Sequence, residues 1–277
     1  MYCLDDVCMV VVLYEPDIKC INRIKKLSKE IKCILVIDNG SVNLSVMEIF
    51  DDCENVSLIS NNRNMGIAYA LQQGLNYSEK NKFPLMITMD QDSEINIETI
   101  NRLVGKIEEK SGIVSVGPFM GKQNNEKDIY VTNLITSGNV VHVDTIQKLG
   151  GFTEKLFIDC VDIDLSFNIV SNGYKLTKVS GTYIKHKIGE YEFSRLFKIK
   201  YLSHKPYRYL FIIRNNIYIY KTYWKKKPKL CAKLFCSCIL EILKVLFLER
   251  NKKLKMRYAF MGFKQGIGIC KWDNNIC

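Results

Sequence analysis

The first 120 residues of the chain alternate apolar runs of strand length with longer stretches of helical period. The apolar runs cover residues 7–14, 33–37, 56–60, 83–89 and 113–116, and the helical patterns cover 18–31, 67–75 and 95–107. Strands that are separated by helices of ten or more residues pair in parallel, and helices cover both faces of their sheet. The pattern therefore predicts an α/β fold with a mostly parallel central sheet.

Polar clusters follow three of these strands at the point where each strand ends. Asp38 follows the second strand, residues 61–64 follow the third and residues 90–92 follow the fourth. In open α/β sheets, ligands bind outside the carboxyl ends of the strands. The sequence therefore predicts a binding site at this edge of the sheet.

The alternation changes after residue 125. Strands are predicted over 129–136 and 139–143, on either side of Ser137-Gly138, and over 174–179 and 182–186. Helices are predicted over 144–149 and 162–171, and the pattern is helical from residue 206 to the end.

The net charge of +11 is divided unevenly along the chain. Residues 1–194 carry 20 Lys/Arg and 26 Asp/Glu, whereas residues 195–277 carry 20 Lys/Arg and 3 Asp/Glu. A basic C-terminal part beside an acidic N-terminal part indicates two regions with different partners, and it is not typical of a uniformly basic nucleic-acid binder.

The eleven cysteines are scattered, odd in number and without CxxC spacing. Several lie within apolar runs, which favours buried free thiols in a reducing compartment over a disulfide framework. Residues 1–6 contain two acids and no basic segment, so we expect no secretory signal and a cytoplasmic protein.

The sharpest local feature is Asp90-Gln91-Asp92. Two carboxylates one residue apart at the end of a buried strand can share a divalent cation, and Mg²⁺ and Mn²⁺ prefer oxygen ligands. By itself the pattern also fits a solvated turn in which Ser93 or Asn96 caps the next helix.

Four motifs, in order, resemble family 2 glycosyltransferases and in particular their rhamnosyltransferase-like branch. Residues 86–93 (MITMDQDS) resemble its LxxLDQDS segment, and residues 36–41 (VIDNGS) its VDNGS turn. Residues 61–68 (NNRNMGIA) resemble its N-x-x-N-x-G-x-A helix start, and residues 157–162 (FIDCVD) its F-I-D-x-V-D segment. The resemblance covers residue 7 to about residue 220.

The resemblance implies a GT-A fold and inverting transfer of a sugar, with rhamnose favoured, from a dTDP- or UDP-sugar in cell-surface polysaccharide synthesis. It implies a catalytic domain over residues 1–200, with a nucleotide-binding half to about residue 120 and an acceptor half over 121–200. Residues 201–277 would form a helical, basic, membrane-proximal region.

The resemblance also implies donor-binding roles for Tyr14, Asp38, Asn64, Gly66 and Asp90. A carboxylate such as Asp38 can accept the imide N–H of uracil or thymine, although residues 38–41 are also simply a good turn. Asn64 and Gly66 would open a helix whose N-terminus suits an anion, or they would only begin an ordinary helix.

The same resemblance implies that Asp90, Asp92 and His186 hold Mg²⁺ or Mn²⁺, because His186 lies in the position of the family's late H-x-x-G element. Imidazole can complete a metal shell or contact the diphosphate. His142 and His204 lack this context.

Asp162 is the residue that the resemblance assigns as general base, which an inverting enzyme needs within reach of the acceptor hydroxyl. Val161 stands where the wider family commonly has Glu, a departure shared by the rhamnosyltransferase-like branch. Asp159 and Asp164 are the alternatives on the acceptor side, where Ser137 and Gly138 would leave room for substrate.

The basic tail follows an Arg214-Asn215 pair that resembles the helix after the catalytic domain in this branch. Lysines crowd residues 225–229, and residues 230–248 are mainly apolar with one narrow polar stripe. This pattern favours a helix in the plane of an anionic membrane surface, hence a peripheral protein at the inner face and a lipid-linked or other saccharide acceptor. A helix packed on the domain or in a homodimer is the alternative.

Two other functions fit less of the sequence. A nucleotidyltransferase that makes sugar nucleotides usually has a basic, glycine-rich loop after its first strand, whereas residues 14–17 are acidic and lack glycine. A non-enzymatic RNA- or membrane-binding protein would leave the acidic clusters at the strand ends unexplained, so we expect no nucleic-acid partner. An inactive family member that only binds the donor stays open.

Overall fold

The computed structural model of the protein describes residues 1–42, 49–121, 126–186, 189–194, 198–268 and 272. The chain forms two compact units, one of Met1–Glu154 and Val161–Lys187 and one of Lys155–Cys160 and Ile188–Cys277. The functional division of the chain at residue 200 stays a prediction.

The first unit alternates strands and helices as the sequence predicts. Its elements are β1 (Val7–Leu13), α1 (Ile18–Leu27), β2 (Cys33–Asp38), β3 (Val56–Ser60), α2 (Ile67–Lys80), β4 (Leu85–Asp90), α3 (Ile97–Val104), β5 (Ile113–Met120), β6 (Ile129–Val131), β7 (Asn139–His142), α4 (Val143–Lys148), α5 (Val161–Ser171) and β8 (Lys175–Ile184). Short 3₁₀ helices cover Leu4–Asp6, Glu109–Ser111 and Glu154–Leu156.

These strands form an eight-stranded sheet in the order β3-β2-β1-β4-β7-β5-β8-β6. The pairs β1–β2, β1–β4, β2–β3 and β5–β8 are parallel, whereas β7 runs antiparallel to β4 and β5, and β6 antiparallel to β8. The prediction of a mostly parallel sheet is confirmed.

The core of this unit lies on both faces of β1 and β2, and every residue of these two strands is buried. Burial on both faces explains why their sequences are continuous apolar runs without a polar alternation. Helix α2 packs directly on β1, because a Cβ at Gly74 would lie 2.6 Å from a methyl carbon of Val10. Helix α1 begins where the side chain of Asp17 accepts a hydrogen bond from the backbone N–H of Cys20.

Several predicted element boundaries differ from the structure. Residues 174–179 and 182–186 were expected to form two strands, but Lys175–Ile184 is a single strand. Gly117 pairs with Lys178 and Phe119 with Tyr183, so the residues of β8 between those partners bulge out of register and the strand continues. Strand β6 ends at Val131 and not at residue 136, and α2 extends to Lys80.

The second unit contains a hairpin of β9 (Glu190–Ser194) and β10 (Ile199–Ser203), followed by α6 (Arg208–Tyr223), α7 (Pro228–Phe247) and α8 (Lys252–Ile267). The sequence predicted the helices and not the hairpin. The expected helix beyond Gly268 falls mostly on residues 269–271 and 273–277, outside the described part of the chain. The cysteines for which the structure describes a state are free, and Cys33 is buried as predicted, whereas Cys236, in the apolar run of α7, is exposed.

Candidate active site

Two of the predicted site residues, Asp38 and Asp90, lie at the carboxyl ends of strands in the same sheet. Leu13 at the end of β1 pairs with Asp38 at the end of β2, and Val12 pairs with Asp90 at the end of β4. Asp38 in turn pairs with Ser60 at the end of β3. The carboxylates of Asp38 and Asp90 are therefore carried by the carboxyl ends of strands that flank β1.

Asp90, Asp92 and His186 form a cluster that could hold a metal ion, with ligand atoms all within 4.8 Å of one another. The Nδ1 atom of His186 lies 3.8 Å from Oδ2 of Asp90 and 3.8 Å from Oδ1 of Asp92. Across the described part of the chain, neither carboxylate pairs with a lysine or an arginine. Two carboxylates and one imidazole form a donor set that suits Mg²⁺ or Mn²⁺, so the residues present fit a divalent metal.

Ser93 orients the imidazole of this cluster. Its Oγ atom lies 2.7 Å from Nδ1 of His186, and Ser93 is buried. Ser93 holds the same ring nitrogen that faces the two carboxylates, so a metal would bind His186 through Nε2 or would take the place of the Ser93 hydroxyl at Nδ1. Sequence reasoning treated Ser93 only as a helix-capping candidate and missed this contact.

Asp90 is the most perturbed acid of the cluster. Burial raises its pKa to about 6, His186 lowers the pKa, and the negative charges of Asp92 and Asp162 raise it. The carboxylate of Asp162 therefore lies close enough to act on the charge of Asp90. A carboxyl group whose ionised form is disfavoured in the free protein is stabilised as an anion when a cation binds beside it.

Gln91, the residue between the two acids, fastens the loop to the end of β1. Its Oε1 atom accepts a hydrogen bond of 2.8 Å from the backbone N–H of Tyr14, and its Nε2 atom donates to the Tyr14 carbonyl at 3.1 Å. The guanidinium of Arg23 donates to the Gln91 carbonyl at 2.5 Å. The ring of Tyr14 is about half exposed beside this loop.

Asp38 is buried and holds its own turn. Its Oδ1 atom accepts hydrogen bonds from the backbone N–H of Ser41 at 3.1 Å and from the Ser41 hydroxyl at 2.6 Å. Its Oδ2 atom accepts a long contact of 3.4 Å from the hydroxyl of Ser60. The turn explains why these residue types occur here, and the contact of Asp38 with a base stays a prediction.

Asn39 joins this turn to the start of α2. Its Oδ1 atom accepts from Asn61 at 3.2 Å and from the backbone N–H of Met65 at 3.0 Å, and its Nδ2 atom donates to Asn64 at 3.1 Å. The side chain of Asn64 also accepts from the N–H of Gly66 at 2.9 Å. Asn64 and Gly66 are thus placed at the helix start, as predicted, and Asn39 is the residue that sequence reasoning missed.

Two glycines make this junction possible. Gly66 precedes α2 at φ 86°, and Gly40 also has φ 86°. A Cβ on Gly40 would lie 2.4 Å from the carbonyl carbon of Arg63, closer than any real contact. The two loops therefore pass each other where only glycine fits.

Ser137 and Gly138 lie beside the end of β4. The hydroxyl of Ser137 accepts a hydrogen bond of 3.3 Å from the N–H of Asp90, and the N–H of Gly138 donates to the Thr88 carbonyl at 2.7 Å. Gly138 has φ 74°, and a Cβ there would lie 3.0 Å from side-chain atoms of both Pro118 and Ile184. Packing within the protein accounts for the glycine, and room for an acceptor stays a prediction.

Asp162 and Asp164 lie in the first turn of α5. Asp162 is half-buried, and its Oδ1 atom accepts a hydrogen bond of 2.9 Å from the N–H of Ile163. Asp164 is buried. Negative side chains are favourable near the N-terminus of a helix, so this turn suits both carboxylates.

Asp159 belongs to the second unit and is engaged there. Arg208 donates from Nε to Oδ2 of Asp159 at 3.2 Å and from its terminal nitrogen to Oδ1 at 2.5 Å, a two-pronged ion pair. Both carboxylate oxygens of Asp159 are engaged by the guanidinium, so this side chain is held by an internal contact. Of the two alternatives to Asp162, Asp159 is the one that this contact disfavours.

The Arg214-Asn215 pair holds the backbone of the turn that contains Asp159. Asn215 donates to the carbonyls of Leu156, Ile158 and Asp159 at 2.8 to 2.9 Å. Phe157, Asp159 and Cys160 all have positive φ values of 62° to 65°. Non-glycine residues keep such angles only when the surroundings impose them, and the buried Asn215 supplies that constraint.

A groove of about 1060 Å³ opens beside the metal-ligand cluster, between α1 and the segment after Asp92. Arg23 and Ser93 line it and also contact the Asp90–Asp92 loop or His186. Lysines of α1 and apolar side chains such as Leu27 and Ile95 line the remainder. The groove and the cluster therefore share part of their walls.

Comparison with known proteins finds one matching family model and a similar sequence. The family model "Glycosyl transferase family 2" matches residues 8–167. A dTDP-rhamnosyl transferase, RfbF of Shigella flexneri, is 26% identical over 74% of this chain and 77% of the relative.

Solved structures of similar fold come from two further organisms. Residues 1–349 of TarS from S. aureus superpose with a TM-score of 0.61 at 14% identity, over 95% of this chain and 81% of that one. The mannosyltransferase PcManGT of Pyrobaculum calidifontis, in complex with GDP-Man and Mn²⁺, superposes with a TM-score of 0.59 at 11% identity, over 93% of this chain and 73% of that one. These similarities confirm the predicted α/β fold of the GT-A type.

Proposed function

Because the chain belongs to glycosyl transferase family 2, we propose that it transfers a sugar, with rhamnose favoured, from a dTDP- or UDP-sugar to a saccharide or lipid-linked saccharide with inversion at the anomeric carbon. The observation that carries this proposal is the cluster of Asp90, Asp92 and His186 at the carboxyl end of β4. The name of the Shigella flexneri relative, a dTDP-rhamnosyl transferase, supports the choice of base and sugar.

Asp90, Asp92 and His186 would hold the divalent metal, Mg²⁺ or Mn²⁺. Such an ion, when bound, neutralises charge on the diphosphate that leaves the sugar. The structurally similar mannosyltransferase was solved in complex with GDP-Man and Mn²⁺, which supports the choice of a divalent metal.

Asp162 would act as the general base. In inverting transfer a carboxylate takes the proton of the acceptor hydroxyl as its oxygen attacks the anomeric carbon, and the nucleoside diphosphate leaves on the opposite side. The observation that supports Asp162 is electrostatic: its negative charge raises the pKa of Asp90, so its carboxylate lies close enough to the metal-ligand cluster to act there.

The base of the donor would contact the turn at Asp38. The Oδ1 atom of Asp38 accepts two hydrogen bonds from Ser41. Its Oδ2 atom accepts only the long contact of 3.4 Å from Ser60, so this oxygen has capacity for a further donor. Uracil and thymine both present an imide N–H that could supply it. Tyr14 would lie beside the nucleotide, and the N-terminus of α2 at Gly66 would face its phosphates.

Thermal unfolding with UDP, dTDP, GDP and CMP, each with and without Mn²⁺, tests this proposal. A ligand that binds only the folded protein raises its melting temperature. We expect a metal-dependent rise with UDP or dTDP in the wild type and none in Asp92→Ala, while the surface variant Asp51→Ala keeps the rise. Absence of a shift with every nucleotide, in folded protein, would contradict the donor site.

Turnover separates an active enzyme from an inactive donor-binding relative. Release of nucleoside diphosphate from dTDP-rhamnose and from UDP-sugars, with water or added saccharide as acceptor, should be lost in Asp162→Asn. Donor-induced thermal stabilisation should remain in the same variant, because Asp162 acts on the acceptor.

A further inference from the structure

Helix α7 exposes its large apolar side chains. Leu240, Phe247 and Phe235 are 65%, 61% and 56% exposed, respectively. Together with Ile239, Leu243 and Leu246 they form what we call the apolar face of α7, with members at spacings of three, four and seven residues. That spacing places them along one side of the helix over roughly 18 Å.

The polar residues in the second half of α7 turn the other way. Lys244 donates to Glu241 at 2.6 Å and lies 3.4 Å from Oε1 of Glu249, which is buried. The hydroxyl of Tyr209 donates to Glu249 at 2.6 Å, and Lys255 pairs with the same carboxylate. The charged side chains of this region therefore satisfy one another inside the second unit.

The inner side of α7 is apolar as well, since Val245, Cys238 and Ile242 pack in the core of the second unit. A helix at the surface of a globular protein usually has a polar outer side, and α7 has an apolar one there. A contiguous exposed apolar face of this kind marks an interaction surface. Part of the polar stripe that the sequence showed is thus used for internal packing, and it does not face solvent throughout.

Cations lie at both ends of the apolar face. Lys225, Lys226 and Lys229 precede it and are exposed, as are Arg250, Lys252 and Lys253 beyond its C-terminal end. In the part of the chain that the structure describes, none of these six pairs with a carboxylate. The indole of Trp224, 42% exposed, lies beside the first group.

We propose that the apolar face of α7, with these flanking cations, binds the surface of an anionic lipid bilayer. The helix would lie in the interfacial plane, with Leu240 and Phe247 among the acyl chains and the lysines at the headgroups. None of the helices that the structure describes is both long and apolar enough to span a membrane, which agrees with a helix that lies on the surface.

Charge favours lipid over a second copy of the chain. A symmetric dimer through this face would pair the same surface with itself and would bring two sets of unpaired cations together. Anionic headgroups complement those cations, and tryptophan is enriched at the membrane–water boundary. The proposal goes beyond sugar transfer and does not depend on it.

Vesicle flotation tests the proposal with the full chain. Vesicles of phosphatidylcholine with phosphatidylglycerol should carry the wild type to the top of a gradient, and vesicles of phosphatidylcholine alone should carry at least about tenfold less. The double variant Leu240→Glu/Phe247→Glu should also lose at least about tenfold of its binding. Its matched control is Ile18→Glu, a change at an exposed apolar residue of the other unit, and this variant should bind as the wild type does.

The charge contribution needs its own variant. Replacing Lys225, Lys226 and Lys229 by Gln should weaken binding to anionic vesicles and make it less sensitive to salt. Replacing the exposed Lys32, Lys80 and Lys110 by Gln changes the net charge equally and should leave binding in place.

Two results would overturn the proposal. One is a wild type that does not float with anionic vesicles and is a monomer by analytical ultracentrifugation. The other is a wild-type dimer that Leu240→Glu/Phe247→Glu converts to a monomer without any loss of lipid binding, because a second copy would then cover the face. Each variant is checked for an unchanged melting temperature and unchanged stabilisation by nucleotide and Mn²⁺, so that a failure here is distinct from a failure of the proposed activity.

Discussion

Asp90→Asn should stabilise the metal-free protein while it removes metal binding. The carboxyl group of Asp90 titrates with a pKa of about 6 in the folded chain, against an ordinary value of 3.8. A folded-state pKa above the unfolded value means that folding disfavours the ionised form. The charge of Asp90 therefore lowers the free energy of unfolding at neutral pH, and an amide of the same shape removes that penalty.

The size of this change in the free energy of unfolding follows from the shift of the Asp90 pKa. At about 1.4 kcal/mol per pKa unit, the penalty of the ionised Asp90 is about 3 kcal/mol above pH 7. The penalty declines as pH falls through the folded-state value of about 6. Near pH 4.5 it is about 1 kcal/mol, because the carboxyl group is then largely protonated in the folded chain.

Urea unfolding in the presence of EDTA, near pH 7.5 and near pH 4.5, measures this difference. The free energy of unfolding of Asp90→Asn should exceed that of the wild type by about 2 to 3 kcal/mol at the higher pH and by about 1 kcal/mol at the lower pH. Asp51→Asn changes an exposed carboxylate, and its free energy of unfolding should lie within about 0.5 kcal/mol of the wild-type value at both pH values. When Mn²⁺ replaces EDTA, only proteins that keep Asp90 should gain stability.

The reasoning is refuted if Asp90→Asn is less stable than the wild type near pH 7.5. It is also refuted if the gain is the same at both pH values, because a charge-independent packing effect would then explain it.

Three further substitutions test the structure around the site. Ser93→Ala should lower Mn²⁺ affinity by about tenfold in isothermal titration, because His186 loses the group that fixes its ring; unchanged affinity would show that the contact has no such role. Gly40→Ala should destabilise by about 2 kcal/mol more than Gly112→Ala in urea unfolding, since both have positive φ and only Gly40 meets backbone atoms; equal losses would contradict the close approach. Asn215→Ala should lower the free energy of unfolding by about 3 kcal/mol, because the part-buried carbonyls of Ile158 and Asp159 lose their amide donor; a loss below about 1 kcal/mol would show that water replaces the amide.

The edge of the sheet at which the site lies could be predicted because each strand carries its signal locally. The apolar runs before Asp38 and Asp90 are buried on both faces, so they stand out in the sequence, and the polar residues that follow them must lie at the carboxyl edge. The cluster of Asp90 and Asp92 with His186 was also anticipated, but only through family resemblance, since about ninety residues separate the imidazole from the acids.

The contacts that hold the site together could not be predicted, because they depend on register and loop path. Gln91 binds the backbone of Tyr14, and Asn39 binds that of Met65. Because almost every residue has a backbone N–H, the sequence does not show which residue is the partner. The ion pair of Asp159 with Arg208 likewise joins segments about fifty residues apart. That pair distinguishes Asp159 from Asp162, which their spacing alone did not.

The sequence alone also could not predict which side of α7 is buried. The spacing of Glu241 and Lys244 shows a polar stripe, but a stripe can face solvent or a buried partner of opposite charge. Here Lys244 contacts Glu249, which lies outside the helix and also binds Tyr209 and Lys255. Val245 packs beside Tyr209 in the core, so this side of α7 is the inner one.

The central claim is that Asp90, Asp92 and His186 hold a divalent metal that binds the nucleotide-sugar donor. Asp162 is the general base that takes the proton of the acceptor. The most direct measurement is release of nucleoside diphosphate from dTDP-rhamnose and UDP-sugars by the full chain, with Mn²⁺ or with EDTA, for the wild type, Asp92→Asn and Asp162→Asn. We predict turnover only in the wild type with metal, a loss of at least about 100-fold in both variants, and donor binding retained in Asp162→Asn. Full turnover in EDTA, or wild-type rates in Asp92→Asn, would contradict the account.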